Sequence, residues 1–138
     1  MTSNNLKKLP QVGERYNCYD DGKVRPSRHS VMEIVEVLPY SKVDKELKKE
    51  IVEEQEQCDF LYAPSTDHVV IAKPLYGCCD EKENSVFIRT IDGGWFSIGC
   101  YWAARLDIDH TLTDGLIESL RDFGYKTEEI EEIIKDFV

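Results

Sequence analysis

Long apolar runs are missing from these 138 residues, and no stretch approaches the roughly 18 that a bilayer-spanning helix needs. A helical membrane protein is not expected. The opening MTSNNLKKLPQ has no apolar core of the kind that marks a secretory signal. The expected location is therefore the cytoplasm. Paired metal-ligand spacing is also missing: no C-x-x-C and no H-x-x-x-H occurs, so neither a structural zinc site nor any other cofactor is expected. The cysteines are five, Cys18, Cys58, Cys78, Cys79 and Cys100. An odd number without an export signal points to reduced thiols rather than a disulfide framework. Positive charge is short as well, with 17 Lys and Arg against 27 Asp and Glu for a net charge of -10. Such a surface repels phosphates, which disfavours general nucleic-acid binding.

What the chain has is enough apolar matter to fold. Hydrophobic residues make up 41% and aromatics 10%, too much for wholesale disorder and suited to one domain. The charge is segregated. Residues 1–30 sum to +3, whereas residues 43–59 sum to -4 and residues 114–138 to -5. The two acidic segments carry helical patterns, so acidic helices are offered to a basic protein partner, with a small basic loop elsewhere.

Residues 1–10 are polar and are expected to be a flexible tail, with a single α+β domain over 11–138. Val12–Tyr19 is an aromatic-rich strand ended by Asp20, Asp21 and Gly22, and Val31–Leu38 is a β-branched run between prolines. Ser41 and Asp44 stand at capping-box spacing, predicting a helix with Leu47, Ile51, Cys58, Leu61 and Tyr62 on one stripe, ending before Pro64. His68–Ile71 reads as a short strand and GCCDEKEN, residues 77–84, as a loop. Ser85–Ile91 and Trp95–Trp102 flank Asp92-Gly93-Gly94, a hairpin signal, and alternation on the second arm gives one apolar face of Phe96, Ile98, Cys100 and Trp102.

Thr111 and Asp114 mark another helix start, with Leu116, Ile117, Leu120 and Phe123 as its stripe and Gly124 as its stop. A last helix from Thr127 carries Ile130, Ile133, Ile134, Phe137 and Val138. That stripe is too apolar to be left in water, so the C-terminal helical hairpin, residues 111–138, is expected to pack on the rest. The fold class is α+β: a curved antiparallel sheet of about five strands, a helix between the second and third, and the hairpin.

The stretch LIESLRDFGYKTEEIEEII resembles the first two helices of a ubiquitin-associated domain, with Gly124 and Tyr125 as the glycine-aromatic loop. It covers 19 of the 138 residues and has Phe123 where that family has methionine, so no binding role is carried over. The order of short strands with a helix after the second is similar to that of SH3-like barrels. No proline-binding aromatic signature can be mapped, so that resemblance carries no binding role either.

Three constellations could carry chemistry. Lys23, Arg25, Arg28 and His29 lie in a turn-rich segment beside Tyr16 and Tyr19, a combination able to grip an anionic ligand or a nucleic acid. Trp95, Trp102 and Arg105 could line the rim of a cleft with them. Asp107, Asp109 and His110 could hold a divalent metal for a hydrolase. The Asp-x-Asp-His has no second acidic cluster assigned to it, and Cys100 has no specified base. A non-enzymatic binding or accessory protein is therefore the favoured expectation, with the metal-dependent hydrolase as the alternative.

Overall fold

The computed structural model describes residues 9–20, 29–57, 68–77, 84–91, 93–98, 104–111 and 113–137. Among them, six antiparallel strands close into a barrel in chain order: β1 Arg15–Asp20, β2 His29–Pro39, β3 His68–Gly77, β4 Ser85–Arg89, β5 Trp95–Ile98 and β6 Ala104–Leu106. Three α-helices accompany it among the described residues: α1 Lys45–Gln57, α2 Thr113–Asp122 and α3 Thr127–Ile134, the last continued by a 3-10 turn over Lys135–Phe137. The expected α+β class holds, but the sheet has six strands and no open edge. The strand missed in the sequence is β6, three residues that pair with both β5 and β1.

Strand alternation divides every wall position between the barrel interior and an outer face. Tyr16, Cys18, Met32, Ile34, Val70, Ala72, Phe87, Trp95, Ala104 and Leu106 pack inside. Two β-bulges reset this alternation. Between Ile34 and Glu36 the register against β3 skips a residue, and the interior position after the skip is Val37 while Leu38 turns outward. The skip at Val31/Met32 leaves Leu75 extra on β3 and sets Tyr76 on the outer face beside Val31. Each added residue bends its strand and increases local twist, which helps a small sheet close.

Two outer layers cover the wall. Val43, Leu47 and Ile51 lay α1 over Val69, Ile88, Phe96 and Ile98. Both faces of β5 are thus buried, where alternation alone predicted one. The hairpin α2–α3 covers Val31 and Tyr76 with Leu116, Leu120, Ile130, Ile133 and Phe137.

Local chemistry sets the helix ends. Residues Tyr40–Lys42 form a 3-10 turn, so Asp44 rather than Ser41 caps α1, its Oδ1 accepting the Leu47 N–H at 2.8 Å. Helix α2 ends at Gly124 with φ +93°; Gly124 N–H donates to Arg121 O and Tyr125 N–H to Leu120 O, the paired bonds of a Schellman motif. Phe123, expected on the apolar stripe, is 49% exposed at this corner. Glu129 Oε1 accepts the Lys126 N–H at 3.0 Å and fixes the start of α3.

Of the expected tail, Leu9 packs against the barrel interior and Pro10 is buried. The stripe positions Cys58, Leu61, Tyr62 and Val138, and most of the 77–84 loop, lie outside the described residues.

Candidate functional site

Among the described residues, those singled out in the sequence are set apart by the barrel wall. Lys23, Arg25, Arg28 and Trp102 lie outside the described residues. His29, expected in the basic loop, opens β2 and is 5% exposed. Trp95, expected at the rim of a cleft, is fully buried inside the barrel with the Arg89 guanidinium 4.4 Å above its ring. Arg105 is on the opposite side of the wall, over the outward ring of Phe96 at 5.8 Å. Trp95 and Arg105 therefore do not share a cleft.

The Asp-x-Asp-His segment is also pulled apart. Asp107 is buried and accepts the hydroxyl of Thr111, the residue expected to cap α2, at 3.1 Å. Asp109 is exposed. His110 adopts φ +53° and stacks on Tyr16, with centroids 5.2 Å apart, while touching Phe137 at the same distance. Among the described residues no three His, Cys, Asp or Glu side chains are grouped as a metal ion would require. Cys18 is a buried thiol in the barrel wall; the other four cysteines are outside the described residues.

Two recesses on the described surface are lined by glutamates. The larger, about 430 Å³, lies among Gly13, Glu14, Arg15, Glu33 and His110. Its charges are already committed. Glu33 sits directly across from both Arg15 and Lys73 in the strand register and pairs with them at 3.4 and 3.3 Å. The Lys73 hydrogen bond, followed by that of Arg15, holds the Glu33 carboxyl below the ordinary glutamate value. Glu14 accepts the Tyr16 hydroxyl at 2.8 Å, and burial, reinforced by that carboxylate, pushes the phenol upward so that it stays protonated.

The smaller recess, about 240 Å³, lies along the outer side of α1 among Glu50, Glu53, Glu54 and Gln57. Here the helix turns Ile51 inward at 0% exposure and leaves Glu50, Glu53 and Glu56 in solvent. Among the described residues these three have no ion-pair partner. On α3, by contrast, Glu129 is spent on the helix start and Glu132 pairs with Lys135 at 2.8 Å. The last two turns of α1 thus carry three exposed carboxylates, Glu50, Glu53 and Glu56, without an ion-pair partner among the described residues.

A third polar cluster is enclosed. Asn17 and His29, outward on paired strands, meet beneath the first turn of α2, with His29 Nδ1 3.0 Å from Asn17 Oδ1. Asp107 is held beside them by a backbone bond from its N–H to Asn17 O at 2.8 Å. None of these three stood out in the sequence as a group, because the pairing of residues 17, 29 and 107 exists only once β1, β2 and β6 are zipped.

Comparison of the chain with protein-family models, with curated proteins and with solved structures finds no match.

Proposed function

We propose that this protein is a non-enzymatic binding or accessory module whose acidic helical surface engages a basic protein partner. The observation that carries the reading is the α1 recess. Glu50 and Glu53, exposed, and Glu54, half-buried, line it on a helix that Ile51 anchors to the barrel. Carboxylates spaced three and four residues apart on a helix are neighbours, and like charges there disfavour the isolated helix. A basic side chain seated among them relieves that repulsion, and complementary charge accelerates encounter as well. The barrel serves as a rigid support, since its interior is occupied by packed apolar side chains.

The test is fluorescence anisotropy of a short labelled Lys/Arg-rich peptide at physiological salt. Glu50→Lys, Glu53→Lys and Glu54→Lys together should weaken binding by about tenfold or more, whereas the equal charge change at Glu118, Glu128 and Glu131 on the hairpin should weaken it only about two- to threefold. Equal losses from the two sets would mean that only net charge matters and would remove α1 as the site.

A further inference from the structure

We propose that His29 is a pH-sensitive latch that holds the C-terminal helical hairpin on the barrel when neutral and releases it when protonated. Among the described residues, the hairpin meets polar groups of the barrel at two points. At its loop end, the Tyr125 hydroxyl accepts the Gly77 N–H at 3.2 Å, and the Tyr125 ring meets Tyr76 edge-on at 6.2 Å. At the start of α2 the fastening is His29. Its Nε2 presses so closely on Gly115 that a β-carbon there would stand 2.6 Å away. Only glycine admits the ring at that point.

The ring's two nitrogens have different surroundings. Nδ1 faces the Asn17 carbonyl oxygen, an acceptor, so the proton of the neutral ring belongs on Nδ1 and the Nε2 lone pair faces the first turn of α2. That turn carries the free N–H groups and positive partial charge of a helix N-terminus. A lone pair is compatible with it. A second proton on Nε2 would set a cation against the positive helix end, in contact with Gly115.

The groups around the ring come from each packed element. Tyr19 of β1 stacks on it at 6.2 Å, β3 presents the side-chain-free Gly77 against the His29 carbonyl, and α2 presents Gly115 with the exposed Asp114 next to it in the chain. Asp107, following β6, is the charge that favours protonation. Burial outweighs it and pushes His29 below the ordinary histidine value.

The sign follows from linkage. The released or unfolded ring titrates near the ordinary value of about 6.5, the docked ring lower, so docking is at full strength above that pH. As pH falls from there toward the depressed value, the open form binds a proton that the docked form refuses. Opening should then become up to about tenfold easier per pH unit, and level off below the docked value. What opens is an apolar surface: Val31 and Tyr76 on the barrel, and the stripe from Leu116 to Phe137 on the hairpin.

Native-state hydrogen exchange of the intact chain between pH 7.5 and pH 5, corrected for intrinsic rates, tests this. We expect amides of residues 113–134 to exchange through an opening less costly than that of the barrel strands, and that opening to gain up to about tenfold per pH unit below about 6.5. In His29→Gln, which keeps a donor for Asn17 but cannot titrate, the dependence should vanish. It should persist in His110→Gln, which removes the imidazole packed on Phe137. A pH-independent opening, hairpin amides that exchange only with the barrel, or a dependence retained in His29→Gln would each overturn the latch. Should His29→Gln not fold, the ring titration of His29 in the unmodified chain decides: a value at or above 6.5 with the hairpin docked also overturns it.

Discussion

Asn17 occupies a strand position with 1% exposure, where an amide is tolerated only if its polar atoms are engaged. Its carbonyl oxygen answers the His29 Nδ1–H, so Asn17→Ala would strand a buried donor as well as remove a bond. The expected cost is about 1 to 3 kcal/mol in urea unfolding at pH 7.5. A residue-by-residue reading of the chain could not find this pair. His29 stands in the sequence among Lys23, Arg25 and Arg28 and reads as one more base of a loop; only pairing of Tyr19 with His29 sets it opposite β1 and under a helix some 85 positions later. Trp95 was misplaced for a related reason. A tryptophan beside a turn is equally suited to a rim or to a core, and the choice depends on which face of β5 looks inward.

The helical elements were the most legible, because capping chemistry and a 3.6-residue period are local. Gly124 ends α2 as read, and the Ile130, Ile133, Phe137 stripe is docked as read. The stripe nonetheless has a gradient. Ile130 and Ile133 are 4% and 6% exposed, whereas Ile134 is only half-buried. Ile130→Ala should therefore cost about 2 to 5 kcal/mol and Ile134→Ala on the order of 1 kcal/mol, with the exposed Glu131→Ala within about 0.5 kcal/mol, all read by the shift in denaturant midpoint. Equal losses at Ile130 and Ile134 would mean that α3 is rotated on its axis. The strands were legible as runs but not as faces. The β-bulges at Val35 of β2 and Leu75 of β3 swap inside for outside within their strands; no residue type announces the first, and only Pro74, beside Leu75, hints at the second.

At the scale of the whole molecule, closure of the sheet was legible only through the likeness of its strand order to SH3-like barrels, and the strand that closes it was not legible. β6 offers only Ala-Arg-Leu as a signal, and the adjoining Asp-Ile-Asp-His drew attention to ligand chemistry instead. Segregation of charge, in contrast, is visible in composition, and the structure gives it physical form: the glutamates of α1 face outward because Ile51 must face inward. The resulting face is sensitive to salt, since exposed charges interact over a Debye length of about 8 Å at physiological ionic strength.

The seam between β1 and β6 also has a bearing on how the chain is made. Leu106 must find Cys18, and Ala104 must find Asp20, so the first strand synthesised waits for the last. Until then β1 has one unpaired edge, a row of open N–H and C=O groups able to recruit another nascent chain. Loop-closure entropy opposes so distant a pairing, which makes folding slow for a domain of this size. On the ribosome, strands β1 to β5 can assemble as an open sheet, but the barrel cannot close until residue 106 has left the exit tunnel. Stalled nascent chains ending short of that point should be cut by protease within the strands, and resistance should arise abruptly, rather than strand by strand, once Leu106 has emerged.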